Sequence, residues 1–322
     1  MKLGELFLLG YKPDQVDFLS DFADQYGLGG VILFKHNFRS PENLAEEIRL
    51  LNKASGSNLI VCLDQEGGEV VRTENHIPLF PSPRYYAQRD DLEGLIISAQ
   101  TTARYLRQLG VNLNLVPVCD VLTNPHSALL RRRSFGGNPN KVKAFAGAMI
   151  EEYHHRNIGC CCKHFPGLGS AEIDPHFKPA VTDISAEDFE NTHWLPFKHC
   201  MELNVEMIMT THLLARSLDP HNLATFSSKI VIDCLRNRLG FKGVVVTDDL
   251  GMGAISQDWT PADRALHSLQ AGHDMLMFCH QKEEQEFAFN SLLELYNTGK
   301  IDMEEIKNKL QRIQNLKQRL EK

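Results

Sequence analysis

Along the chain, short apolar runs alternate with longer segments whose apolar residues recur every three or four positions. Eight runs read as buried strands: 6–10, 30–34, 59–64, 111–120, 159–164, 205–212, 243–248 and 274–279. Between them, segments such as 41–54, 92–109, 139–157, 186–203 and 227–239 carry helical spacing. The last segment sets Met303, Ile306, Leu310, Ile313, Leu316 and Leu320 on one face of a terminal helix. Strands that are apolar on both faces need cover on both sides, and with helices between them that means a parallel sheet. Eight strand–helix units favour a single (β/α)8 TIM-type barrel; the alternative is an open doubly wound sheet with one strand miscounted. No repeat, linker or charge block divides the chain, so residues 1–322 read as one domain. The least regular stretches, 73–91, 122–140 and 165–183, each follow a predicted strand. In a barrel they fall on the C-terminal rim, where the loops carry the chemistry.

Composition narrows this reading. With 43% hydrophobic and 23% charged residues the chain is globular. Lys and Arg number 34 against 41 Asp and Glu, a net charge of −7, which leaves no electrostatic footprint for nucleic acid. Cys160, Cys161 and Cys162 are consecutive, and none of the eight cysteines falls in a C-x-x-C pair. They read as small buried hydrophobes of a reducing compartment. The apolar start of the chain is short, carries Glu5 and lacks a small-residue cleavage site. No stretch approaches the roughly 18 apolar residues of a membrane span. The expectation is a soluble cytoplasmic protein with no membrane or nucleic-acid partner; nothing in the pattern specifies an oligomeric state.

Several predicted strands end in charge where a turn residue is ordinary. The third ends Leu63-Asp64-Gln65-Glu66-Gly67-Gly68, with Arg72 beyond. This is either a carboxylate and a guanidinium aimed into the barrel mouth or a solvated Gly-Gly turn. The fifth ends Lys163-His164-Phe165-Pro166-Gly167 and continues to Asp174-Pro175-His176. Lys is seldom fully buried unless paired. The Asp-x-His spacing lets a carboxylate orient an imidazole for proton transfer, although surface loops also carry such pairs. The seventh gives Val244-Val245-Val246-Thr247-Asp248-Asp249. Two carboxylates after three valines place at least one at the rim, as a nucleophile or a binding group. The other suits a helix N-cap, and Asp249 is nearer the helix.

Other signals carry less. Gly251-Met252-Gly253 has Ser256 where a dinucleotide fingerprint needs its third glycine. The 14 histidines include no H-E-x-x-H, and His154 and His155 are adjacent on a helix and point apart. No metal site is therefore expected. Phosphate-loop and serine-hydrolase motifs are lacking as well.

Taken in order, these motifs together with Arg133-Ser134-Phe135-Gly136 resemble glycoside hydrolase family 3, specifically its bacterial β-N-acetylglucosaminidases (β-hexosaminidases). The likeness covers almost the whole chain, including 30–37, Ala224-Thr225-Phe226-Ser227 and Ala271-Gly272. It implies a catalytic barrel that removes terminal GlcNAc in two steps with retention, without metal or cofactor. Its expected substrate is a small carbohydrate, such as GlcNAc-anhydro-muropeptides from cell-wall turnover. By this resemblance Asp248 is the nucleophile, His176 the acid/base and Asp174 its orienting partner. Asp64, Arg72, Arg133, Lys163 and His164 match positions that bind the terminal sugar, and His212 is a further candidate for the pocket. A phosphorylase using the same intermediate and a non-catalytic sugar-binding barrel are the alternatives. Departures from the family pattern are Leu168 for a second His, Pro175 inside the Asp-x-His pair, and Leu130-Arg131-Arg132 before Arg133.

Overall fold

Strands named in chain order are β1 (Phe7–Gly10), β2 (Gly30–Leu33), β3 (Ile60–Leu63), β4 (Leu113–Asn114), β5 (Gly159–Phe165), β6 (Ala180–Thr182), β7 (Met207–Thr210), β8 (Leu213–Ala215), β9 (Val244–Val246) and β10 (Leu276–Phe278). The structure is a computed structural model describing residues 2–73, 75–171, 179–256 and 259–321. Eight strands pair in the order β10-β1-β2-β3-β4-β5-β7-β9, all parallel. The ring closes through the Val246–Met275 bridge and the hydrogen bonds Asp274 N–H to Val245 O (2.8 Å) and Leu250 N–H to Met277 O (2.8 Å). With helices around it, this is the single (β/α)8 barrel. Every residue of the eight barrel strands is buried, which is why their sequence is apolar without alternation.

The helices begin and end where the sequence punctuates them. Ser40 Oγ accepts the Asn43 N–H (3.2 Å) ahead of Pro41–Ser55, and Gly56 ends that helix in the left-handed region at φ 68°. The terminal helix Met303–Leu320 buries Ile306, Leu310, Ile313, Leu316 and Leu320, whereas Met303, in its first turn, is 39% exposed. Two of its lysines are buried and cap carbonyls at the bottom of the barrel: Lys309 Nζ on Leu269 O (3.0 Å) and Lys317 Nζ on Leu28 O (2.8 Å). No described helix is long and apolar enough to cross a membrane.

Three elements differ from the sequence expectation. The long run 111–120 forms a ladder only at β4, because the Val116 N–H turns back onto Asn114 O (2.8 Å); the bridge between Val118 and Lys163 continues the pairing further on. The segment 186–203 is two α-helical pieces, Ala186–Asp188 and Trp194–Glu202, joined by a π-turn at Phe189–His193. The segment 227–239 is π-helical over Lys229–Arg238. On the rim, β6 and β8 pair in parallel above β5 and β7. The loops of interest therefore stand on rigid strand ends.

Candidate active site

The rim encloses a cavity of about 300 Å³ whose walls include Asp64, Arg72, Arg133, Lys163, His164 and Asp248. Six residues singled out from the sequence thus meet in one place, though they come from four separate segments. Asp174 and His176 lie outside the described residues.

Lys163 organises the floor. It projects from β5 and is 1% exposed, which an ammonium tolerates only when paired. Its Nζ lies 2.6 Å from Asp64 Oδ1 and 2.7 Å from Glu66 Oε1. Glu66 is clamped from the other side by Arg133, Nε to Oε2 at 2.8 Å and Nη2 to Oε1 at 2.7 Å, a bidentate fork. Arg72 Nη2 completes the row at 3.3 Å from Asp64 Oδ2, and its Cζ lies 5.5 Å from the centre of the Phe34 ring. Burial pushes the Asp64 and Glu66 carboxyls up, but the neighbouring cations outweigh it and hold both below the ordinary carboxylate range. Burial likewise lowers Lys163 while Asp64 and Glu66 raise it, the net direction being upward. All of these groups stay charged, so the floor is a fixed array of charge with little freedom to reorient.

The loop after β3 can present Asp64, Glu66 and Arg72 together because Gly67 and Gly68 turn the chain at φ 92° and 61°, closed by Gly68 N–H to Phe80 O (2.9 Å). This Gly-Gly turn delivers its acids into the mouth; it is not merely solvated.

His164 lines the same cavity, and its Nδ1 lies 2.6 Å from Asp120 Oδ2. Asp120 is wholly buried, and its other oxygen accepts the Leu168 N–H (2.6 Å). One carboxylate thus orients the imidazole and ties down the loop leaving β5. Leu168 packs in the core at 2% exposure.

Beyond β9, Asp248 is half-buried on the cavity wall and accepts the Asp249 N–H at 2.8 Å. Asp249 is buried beneath it. Instead of capping a helix, Asp249 Oδ1 receives the N–H of Gly251 (3.0 Å) and, across the barrel seam, that of Cys279 (3.0 Å). Burial raises the Asp249 carboxyl despite these two donors. Both adjacent acids border the cavity, Asp248 half-buried and Asp249 9% exposed and held by the seam N–H groups.

His212 is not a cavity residue. It is wholly buried, with Nδ1 2.7 Å from Thr225 Oγ1 and Nε2 donating to Asp249 O (3.0 Å), so it supports the segment carrying Asp248. Cys119, Cys162 and Cys200 form a buried cluster with all three sulfurs within 4.8 Å, apart from the cavity.

The sequence reasoning passed over Glu66 and Asp120 as site groups. Glu66 stands two positions after Asp64 in an extended segment, a spacing that puts both on one side. Asp120 ends an apolar run in a carboxylate, the same signal that drew attention to Asp248.

Fold and cavity define a (β/α)8-barrel protein with a charged cavity at its C-terminal rim. Residues 1–316 match the family model described as the glycosyl hydrolase family 3 N terminal domain, so this chain belongs to glycosyl hydrolase family 3. A β-hexosaminidase of Nitrosomonas eutropha is 32% identical over 271 residues, covering 82% of this chain and 77% of that protein. The structure of a family 3 β-N-acetylglucosaminidase from Paenibacillus sp. superposes with a TM-score of 0.95 at 30% identity, over 99% of this chain but 62% of that one. A β-N-acetylhexosaminidase structure from Beutenbergia cavernae superposes at 0.88 with 26% identity, over 98% of this chain and 97% of that one.

Proposed function

We propose that this protein is an exo-acting β-N-acetylhexosaminidase that removes terminal GlcNAc with retention of configuration. The observation that supports this best is the half-buried Asp248 on the wall of a cavity whose floor is the Asp64–Lys163–Glu66–Arg133 array. In this reading Asp64, Lys163, Arg133, Arg72 and His164 hold the hydroxyls of one pyranose, with Glu66 behind them fixing Lys163 and Arg133, and Met209, Met252 and Met277 supply apolar wall. A cavity of about 300 Å³ suits a single sugar. Asp248 attacks the anomeric carbon while His176, oriented by Asp174, gives its proton to the departing oxygen. His176 then takes a proton from water, which displaces Asp248 from the same carbon. Two inversions at one centre restore the configuration. The roles of His176 and Asp174 rest on the resemblance of the Asp174-Pro175-His176 motif.

The barrel, residues 1–322, carries the whole reaction in this reading. Its natural substrate is the GlcNAc-anhydro-muropeptide released in peptidoglycan recycling, and the eight free cysteines support a cytoplasmic setting. The test is mass spectrometry of the intact protein after treatment with a fluorinated GlcNAc-type inactivator. One sugar mass should appear, mapped to Asp248; an adduct elsewhere, or none in an enzyme that turns over aryl GlcNAc, refutes the nucleophile. Parallel aryl GlcNAc assays with and without phosphate should both give free GlcNAc. A GlcNAc-1-phosphate product would instead make the enzyme a phosphorylase.

A further inference from the structure

Cys119, Cys162 and Cys200 come from three separate segments: the run after β4, β5 itself and the helix Trp194–Glu202. Trp194 and Phe197 seat that helix on β5, with ring centres 5.9 Å and 5.4 Å from that of Phe165. All three cysteines are wholly buried. Their sulfurs lie within 4.8 Å of one another, with Cys119 Sγ 3.6 Å from Cys200 Sγ. Small hydrophobes can pack anywhere in this layer, yet three segments turn their thiols toward one point.

Three sulfurs each about 2.3 Å from a common centre, the length of a metal–thiolate bond, stand about 4 Å apart. The cluster is already close to that triangle. Among the described residues no imidazole or carboxylate joins it, so it is one donor short of a tetrahedral zinc set and complete for a three-coordinate ion. Thiolates select soft ions. Charge selects further, because a net charge in so buried a pocket would go unsolvated. Three thiolates around a monovalent or divalent ion leave negative charge behind. Around a trivalent ion they leave none.

We propose that the Cys119–Cys162–Cys200 cluster is a binding site for a trivalent thiophilic ion of the arsenic(III) kind, and that filling it disables the sugar cavity. With arsenous acid, three As–O bonds break and three As–S bonds form. Each hydroxyl leaves with one thiol proton as water, and arsenic stays trivalent, so no oxidant or reductant takes part. Entry requires the helix Trp194–Glu202 to open locally, which makes binding slow. The link to the cavity runs through the chain. Cys119 precedes Asp120, which orients His164, and Cys162 precedes Lys163. The Cys119 N–H donates to Lys163 O at 2.8 Å, so the two segments shift together. An ion that draws the sulfurs inward displaces both cavity groups. The site itself is independent of the glycosidase reading; only the loss of activity rests on it.

The test incubates the intact chain with sodium arsenite and a phosphine reductant, which keeps thiols free without competing for arsenic. Native mass spectrometry should show, growing with time, one arsenic added and three protons lost. In wild-type crystals soaked in arsenite, the arsenic anomalous peak should lie among the three sulfurs. C119A and C200A should lose the three-proton adduct, while C234A, outside the cluster, keeps it. As the adduct forms, kcat on 4-nitrophenyl GlcNAc should fall about 100-fold, the scale of an ångström of misplacement. No adduct on the wild-type chain, or an arsenic peak elsewhere, would overturn the site. Tighter binding of zinc or copper(I) among these sulfurs would overturn the trivalent assignment. A complete adduct with kcat unchanged would overturn the link to the cavity. A chain inactive before arsenite is added would refute the glycosidase reading and leave the mass and the peak to decide the site. Those two wild-type readouts stand whether or not the variants fold.

Discussion

At the scale of single residues, the floor of the cavity is one coupled group of charges. Glu66 has two buried cationic partners and is itself buried. Glu66→Gln keeps its shape but leaves Lys163 and Arg133 facing one carboxylate fewer. Breaking a buried pair in this way costs about 3–5 kcal/mol, because a charge remains without its counterion. The urea midpoint of E66Q should fall accordingly, and an unchanged midpoint would mean that water reaches the array. Lys163 was conspicuous in the sequence because an ammonium after Ile158–Cys162 demands partners. Which partners it has was hidden, since Asp64 and Glu66 lie about a hundred positions away and only the adjacency of β5 to the loop after β3 brings them close.

At the scale of elements, the terminal helix Met303–Leu320 is bolted to the barrel through Asp274. This wholly buried carboxylate receives Arg312 Nε on Oδ1 (2.7 Å) and, on Oδ2, both Arg236 Nη2 and the Val245 N–H (2.8 Å). Asp274→Ala should destabilise by about 1–3 kcal/mol, because it leaves the half-buried Arg236 and Arg312 and the Val245 N–H without their acceptor. The loss should show as faster hydrogen exchange in Met303–Leu320 and along the β9–β10 seam. Exchange unchanged in the helix would mean that its apolar face, with Ile306 and Ile313 wholly buried, holds it without the bolt. The apolar spacing made this helix legible from sequence. Its docking was not, because the two buried lysines and Arg312 look like ordinary residues of a solvated face until the barrel bottom supplies acceptors.

For the whole molecule, the buried titratable groups set how stability responds to acid. Burial, with Lys309, Arg236 and His212 adding to it, pushes His273 down to about 3 from the ordinary 6.5. Below pH 6.5 the unfolded chain therefore takes up a proton that the native state refuses, and stability falls until about pH 3. Asp64 and Glu66, held below 3.8 and 4.5, act in the same direction. Their stabilisation is present above those values and disappears as pH falls through the lower folded ones. Asp249, raised by burial, opposes them: the cost of its charge is relieved as pH falls. His193, lowered by burial, and Asp219, whose hydrogen bonds outweigh burial and hold it down, act with them against Asp249, so urea midpoints should decline below pH 6.5 and more steeply below about pH 4.5. His273→Gln should flatten the first part of that decline. A flat wild-type profile between pH 7 and 5 would show that His273 titrates normally.

The class of fold was legible because strands buried on both faces must be apolar throughout, and eight such runs with helices between them leave little besides a barrel. Much of the site was legible for the complementary reason: a charge at the end of an apolar strand has to be used. Asp64, Lys163 and Asp248 announce themselves in this way. What periodicity does not carry is distance across the ring and the side on which a polar residue settles. Only the closed barrel left Asp248 half-buried on the cavity wall while it tied Asp249 to N–H groups of the seam, and it withdrew His212 from the pocket. It also recruited Glu66 and Asp120 as partners. Sequence records each residue's preference for water or for burial, because that is a property of the residue. Which charges neutralise one another is a property of pairs, and tertiary contact alone makes the pairs.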